Sequence, residues 1–429
     1  MLAYFEKKSI RVALLAANIA ILVIVLFLLR LYKNGIAAPI GLSFFSLQAI
    51  GYLVDVFKGK INAEVNLFNY ALFLSFFVYI LSGPIESARN MLPQINATKE
   101  TNYRNLCSGL QWILWGFFLK LVIAERLYIV VSNVYNDYSY FAGIELFIAT
   151  IAYSFYIYCD FMGYSYIAAG MGKALGFRIM ENFRQPYFSM SIAEFWRRWH
   201  ISLSTWLKEY IYIPLGGSRA GKVKKYRNIL IVFMVSGLWH GINWNFLVWG
   251  ILHGVYQIVG DISYGFRKKI VLLFSIKDTN FSFKFFKCII TFLCVNFAWI
   301  FFYFENYKDA INIIKRIILG WSLKNTLGVN AVPEYPWVSV IGNNLVTTTN
   351  HLYWNMGLDI DNIFILCIAM FLMIIVDVYH YKGRNCKDWL EEQNLLFRWI
   401  ICLAGIFVVL TYGIYGSAYD ISSFIYSNF

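Results

Sequence analysis

The sequence predicts an all-α, polytopic integral membrane protein: a helical bundle around a central cavity, with about nine to eleven membrane helices including re-entrant segments. Three observations predict it. Of 429 residues, 59% are hydrophobic and only 14% charged, whereas a soluble domain carries about 25% charged residues. Several apolar runs reach or approach the roughly 18 to 20 residues that cross a hydrocarbon core. Two such runs are broken by glycine, GYSYIAAGMGKALGF (163–177) and GLWHGINWN (237–245). Irregular backbone at membrane depth is tolerated only where protein or a water-filled cavity covers it, so the breaks point to an internal site.

In chain order, spans are expected near residues 12–31, 38–57, 66–85, 109–132, 141–160, 228–241, 244–259, 285–304, 360–379 and 396–415. The first follows Lys7, Lys8 and Arg11. A secretory signal would have a shorter apolar core and release a polar mature domain; here further membrane helices follow, so the segment reads as a retained span. Lys7 and Lys8 put the N-terminus in the cytoplasm. KDAINIIKRIILG (308–320) reads as a short amphipathic surface helix, and 321–353, with Pro333 and Pro336, as an extramembrane loop. Neither a repeat nor a soluble domain interrupts the pattern, so one membrane domain over 1–429 is expected.

The net charge of +13 suits nucleic acid or an anionic membrane surface, but its pattern is better explained by topology. Its basic residues cluster beside hydrophobic segments, chiefly 219–227 and 267–269, as cytoplasmic loops of membrane proteins do. With no recognition motif beside the charge, no nucleic-acid partner is expected. The seven cysteines show no CxxC pair and no metal-ligand spacing, so they read as small core residues and no metal is expected.

EFWRRWHISLSTWLKEYIYIPLGG (194–217) stands out in so apolar a chain. At 100° per residue, Ile192, Trp196, Trp199, Leu203, Trp206 and Tyr210 share one side of a helix, and Glu194, Arg197, Arg198, Thr205, Lys208 and Glu209 the other. That is the pattern of a helix lying in the membrane interface. His200 falls at the edge of the apolar face; it suits either a bond to a neighbouring helix or a role in chemistry. His240 ends a nearly pure apolar run between Gly237 and Gly241. An ionisable group inside a membrane segment faces a bundle interior or cavity, and neutral imidazole is the usual general base near neutral pH. His253, on the next helix, is the weaker candidate, while His351 and His380 read as surface residues.

In that order and spacing, RRWHISLSTWL, YIPLGGSR and GLWHG resemble the membrane-bound O-acyltransferases, in particular the bacterial branch that O-acetylates alginate and peptidoglycan. PIGLSFFSLQAIGYLVDVFKG (39–59), YCDFMGYSYIAAGMGKALGF (158–177) and WIFFYFENYKDA (299–310) are similar to the same family, so the resemblance runs from about residue 30 to the C-terminus. Tyr166 departs from the branch, which often has an acidic residue there, and relatives often begin with further helices before the segment at 12–31.

The resemblance implies a catalytic motif region at about 155–260. It makes His240 the general base and His200 its oxyanion or orienting partner. Asp160 would orient a histidine or pair with an arginine. Trp196, Trp199, Trp239 and Trp244 would wall the cavity, and Arg197 and Arg198 would meet a negatively charged donor. The donor implied is acetyl-CoA or an acyl carrier protein thioester, with no permanently bound cofactor. The partners implied are the lipid bilayer of the bacterial cell membrane and an extracytoplasmic glycan O-acetyltransferase. The last six residues, FIYSNF (424–429), resemble the family's acyl-relay tail, with Tyr426 as the acyl carrier; read alone they suit an interfacial anchor equally. The related teichoic-acid D-alanyl transfer proteins share the histidine motifs, but the PLGG at 214–217 favours acetylation. A transporter or flippase would also have broken helices, yet no internal repeat is present. A non-catalytic subunit of an export complex would not need His240.

Overall fold

A computed structural model describes residues 7–31, 41–80, 83–99, 102–141, 143–219, 221–277, 279–320 and 356–415. Among these the regular structure is helical throughout. Among the described residues, five helices are long and apolar enough to cross a membrane: Lys8–Leu29, Gly143–Ala174, Phe281–Tyr303, Ile360–Tyr381 and Leu395–Tyr412. A sixth forms if Trp244–Ile262 and Tyr264–Leu273, bent by 50° at their junction, count as one span. Two of the other expected spans are shorter apolar helices, Leu42–Phe57 and Leu67–Ile80. The predicted surface helix is Tyr307–Leu319, which buries Ala310 and Ile313. The expected loop at 321–353 and the tail at 424–429 lie outside the described residues.

The chain divides into two compact units. The first comprises the described parts of Met1–Gly116 together with Tyr164–Phe292. The second comprises Phe117–Gly163 and the described part of Leu293–Asp420.

In the first unit, glycine does different work from what its pattern suggested. The stretch 163–177 is not re-entrant; helix Gly143–Ala174 runs unbroken through it to Ala174, and only its last three residues leave the helix. Its glycines serve packing. A Cβ on Gly170 would lie 2.6 Å from the carbonyl oxygen of Gly109, and one on Gly109 would lie 2.5 Å from that of Gly170. Only residues without a Cβ let two helices touch backbone to backbone there. Tyr166, where an acidic residue was the family expectation, packs edge-on against Trp112 with ring centroids 5.9 Å apart.

The break expected at 237–245 does occur. Helix Lys222–His240 ends at Gly241, and Asn243 caps the next helix, Trp244–Ile262. These two helices pack as a hairpin through glycine: a Cβ on Gly237 would lie 2.3 Å from the carbonyl oxygen of Phe246, and one on Gly250 2.3 Å from that of Phe233. The basic stretch at 219–227, expected as a loop, mostly forms the first turns of helix Lys222–His240. Positive charge opposes the helix dipole at that end. Asp261 offsets it, accepting from Lys225 Nζ at 2.8 Å and from the Tyr226 hydroxyl at 3.0 Å.

In the second unit, a wide π-type turn, Phe118–Ala124, leads into helix Glu125–Asn136. The wide turn brings residues five apart onto one face: the Glu125 backbone N–H donates to the Lys120 carbonyl, and Lys120 Nζ lies 2.6 Å from Glu125 Oε1. Lys120 Nζ also reaches Asp160 Oδ1 at 2.5 Å. All three side chains are almost wholly buried. Nearby, Tyr158 donates to Asp377 Oδ2 at 2.8 Å, and Arg126 donates to the carbonyls of Val122 and Tyr412 and to Asn362 Oδ1.

Candidate active site

The interfacial helix read from 192 to 210 is not one helix. Ile192–Arg198 is closed at its start by Ser191, whose hydroxyl accepts from the Glu194 N–H at 3.2 Å. The chain then leaves the helix at Trp199 and turns at His200, where φ is +43°. Helix Ile201–Leu207 follows and passes into a second wide turn, Lys208–Tyr212. A left-handed backbone at a non-glycine residue costs of order 1 to 3 kcal/mol and persists only where its surroundings over-determine it. Asn182 supplies that constraint. Its carbonyl accepts from Ile201 N at 3.0 Å, and its side-chain oxygen accepts from Ser202 N at 3.3 Å.

The break changes what faces what. The 3.6-residue phase holds only within each short helix, so Trp206 and Tyr210 serve a different neighbour from Trp196. Trp206 donates to the Leu47 carbonyl at 2.8 Å, and Tyr210 to Asp55 Oδ2 at 2.8 Å. Trp196 instead donates its indole N–H to His253 Nδ1 at 3.2 Å. Trp199 stacks on Phe195, centroids 5.5 Å apart.

His200 and His240 are both buried, and Trp239 joins them. Its ring centroid lies 4.8 Å from that of His240 and 6.1 Å from that of His200, while its indole N–H donates to the Ser43 carbonyl at 3.3 Å. Ser202 Oγ lies 3.5 Å from His200 Nδ1 and accepts from Ile85 N at 3.0 Å. Burial pushes the His200 imidazole down from its ordinary value to about 3, so the ring is neutral at physiological pH. A neutral ring offers one donor and one acceptor nitrogen.

A cavity of about 400 Å³ reaches Ser202, the neighbour of His200, and is lined also by Gln48, Glu86, Arg89, Trp206 and Tyr210; neither histidine lines it. Gln48 is 3% exposed, and among the described residues its Nε2 has no hydrogen-bond partner. A buried amide donor left unpaired costs about 1 to 3 kcal/mol, which a ligand acceptor would relieve. Burial pushes the Glu86 carboxyl up from its ordinary value, against hydrogen bonds from Asn90 and Met180 that hold it down. Arg89 spans Asp55, at 2.9 Å, and Glu209 at the rim.

The other predicted positions divide. Trp244 is 70% exposed; it occupies the first turn of its helix and points away from the buried face that carries Asn245 and Trp249. Trp249, 0% exposed, lies among the histidines. Its ring meets His240 edge-on at 5.2 Å and His253 at 5.2 Å. Spacing could have found it, since Trp249 lies one turn before His253. Arg198 is held by Glu194, Nη2 to Oε1 2.9 Å, whereas Arg197 is exposed. Asp160 pairs with Lys120. His380 lies in the last turn of helix Ile360–Tyr381, where its Nε2 accepts from Cys386 N at 3.3 Å. Gln48 and Ser202 were not singled out by the sequence; polar residues on a mostly apolar helix were the available signal.

The profile of the membrane-bound O-acyltransferase family matches residues 56–302. The chain belongs to that family. As a membrane-bound O-acyltransferase it is similar to a probable alginate O-acetylase of Pseudomonas syringae pv. tomato, 39% identical over 272 residues, 63% of this chain and 50% of that protein. It is similar also to a peptidoglycan O-acetyltransferase of Helicobacter pylori, 31% identical over 385 residues, 83% of this chain and 70% of that one. A teichoic acid D-alanyltransferase of Bacillus subtilis is 29% identical over 228 residues, 50% of this chain and 57% of its own. The chain spans about half the length of the alginate relatives it matches. His200, His240, His253 and Asp160 all fall within the family match.

Proposed function

We propose that this chain is a membrane O-acyltransferase of the bacterial cell (inner) membrane, acting as one catalytic domain. It takes acetyl from a cytoplasmic thioester, acetyl-CoA or an acyl carrier protein, and passes it towards an extracytoplasmic polysaccharide O-acetylation partner. The observation that carries the reading is the pair of buried imidazoles on one tryptophan, His200 and His240 on Trp239. His240 takes the proton of the attacking hydroxyl as it adds to the thioester carbonyl, then returns a proton to the departing thiolate; such a base contributes about 10² to 10⁴-fold. His200, neutral and steadied by Ser202, polarises the carbonyl oxygen. The unpaired amide of Gln48 suits a carbonyl on the arriving donor. Acetyl is favoured over D-alanyl by PLGG at 214–217 and by the higher identity to the acetylating relatives.

Tyr426, outside the described residues, is the proposed carrier. Its phenol loses a proton to His240 and receives acetyl as an aryl ester. Phenolate, with a pKa of about 10, leaves more readily than a sugar alkoxide, so the ester remains able to pass acetyl onward. Incubating the membrane-embedded protein with acetyl-labelled thioester should label Tyr426, and Tyr426→Phe should lose both the label and transfer to the partner. Label passing to the partner at the wild-type rate through Tyr426→Phe would reduce the tail to an anchor. No label from either thioester into the wild-type protein would sink the acyltransfer reading.

Sidedness is tested separately. Ser218 is exposed beside the basic start of helix Lys222–His240, which the positive-inside rule assigns to the cytoplasm. In a cysteine-free background, Ser218→Cys should resist an impermeant maleimide on intact cells and react after permeabilisation. Ready labelling of intact cells would reverse the direction of transfer.

A further inference from the structure

We propose that His253 is a positioning residue of the acyl-transfer site: its Nδ1 holds the indole N–H of Trp196, and through it the helix break that presents His200. The inference rests on the acyl-transfer reading for its kinetic meaning and on geometry for its substance. His253 is 0% exposed on helix Trp244–Ile262, which has no sequence neighbour in common with helix Ile192–Arg198. The Trp196–His253 bond, 3.2 Å long, is therefore a direct tie between the two elements. It is directional: the rings meet edge-on at 5.0 Å and 87°.

The packing around the tie leaves the ring little freedom. Phe195 stacks on His253 at 6.3 Å and 8°, and Phe233 at 6.1 Å and 21°. Trp249 stands against the remaining side at 5.2 Å and touches Trp196 as well, at 5.6 Å. The same Trp249 ring meets His240. One end of the cluster thus borders the candidate base, and the other fixes Trp196, four residues before the strained His200. Indole nitrogen only donates, so Nδ1 of His253 must accept and its proton must sit on Nε2. The bond selects one neutral tautomer. An imidazolium, or an apolar replacement, would leave the Trp196 N–H buried with nothing to donate to. Helix Ile192–Arg198, which leads into the turn at His200, would then be free to turn about its axis.

Turning by even an ångström matters to transfer, since a misplacement of about 1 Å can cost 10²-fold. The needed property of His253 is an acceptor at the Nδ1 position, not acid–base chemistry. Asparagine supplies that acceptor with its side-chain oxygen; leucine fills the space without it.

The test compares kcat and KM for acetyl thioester among His253→Asn, His253→Leu, Trp196→Phe and the double variant Trp196→Phe/His253→Leu, each as detergent-solubilised folded protein. His253→Asn should stay within a few-fold of wild type. His253→Leu and Trp196→Phe should each lose kcat by roughly 10- to 100-fold with KM little changed, and the double variant should lose no more than either. Three results overturn the proposal: His253→Asn as inactive as His253→Leu, wild-type kcat in His253→Leu, or multiplicative losses in the double variant. If His253→Leu does not fold, Trp196→Phe, which keeps a six-membered aromatic ring and loses the indole N–H, carries the comparison with His253→Asn. If the wild-type protein transfers no acyl group, the functional reading fails by itself. The tie is then judged by thermal midpoints, where non-additive losses in the double variant support it and additive losses overturn it.

Discussion

Replacing His240 with alanine is expected to abolish acyl transfer while leaving the protein folded. His240 closes helix Lys222–His240 at the point where Gly241 lets the chain turn, and it is buried against Trp239 and Trp249 without being part of the glycine contacts that join the hairpin. Removing the imidazole leaves those backbone contacts in place. What is lost is the only proposed acceptor for the proton of the attacking hydroxyl. The expected fall is at least the 10² to 10⁴-fold typical of a general base. His200→Ala should be severe but less complete, because an oxyanion partner steadies charge without taking the proton. Acetyl transfer from labelled thioester, measured beside the yield of monodisperse solubilised protein, separates the outcomes. If yield and activity fall together in His240→Ala, the residue is structural and the mechanism needs another base.

Lys120→Met should be the most destabilising single change in the second unit. It removes the cation shared by Glu125, 2.6 Å away, and Asp160, 2.5 Å away, and leaves two buried carboxylates facing each other. Breaking a buried ion pair by deleting one partner costs about 3 to 5 kcal/mol, because the remaining charge is uncompensated. Replacing the whole cluster by neutral groups is far milder. The triple variant Lys120→Met, Glu125→Gln, Asp160→Asn should recover most of the loss. Thermal unfolding of the solubilised proteins reads both effects. An unchanged midpoint in Lys120→Met would mean that the carboxylates are relieved by other groups. The same measurement bears on Asp160: if its work is this pairing, Asp160→Asn lowers the midpoint before it changes any rate.

Composition and run length by themselves determined that the chain is a helical membrane protein, because burying apolar surface in lipid needs nothing but length and an absence of charge. The ordered motifs around His200 and His240 likewise determined the family. Both imidazoles were legible as candidates, since an ionisable group on an apolar run costs free energy that must be repaid by partners or purpose.

The tertiary structure decided what periodicity could not. Glycine reads identically in a sequence whether it breaks a helix, as at Gly241, or lets two helices touch, as at Gly109 and Gly170; only the neighbouring backbone distinguishes them. The phase at 192–210 failed because one residue, His200, takes a left-handed turn held by Asn182, eighteen positions earlier in the chain. Past that turn, the side of a helix no longer predicts its neighbour. On the helix that starts after Gly241, Trp244 is exposed while Trp249 stands between two histidines. The partner of Asp160 was hidden too: Lys120 is forty residues away, and the wide turn that aims it leaves no mark in the hydrophobic pattern. Which residues are apolar is written in the chain, but which polar atom meets which depends on how the helices cross.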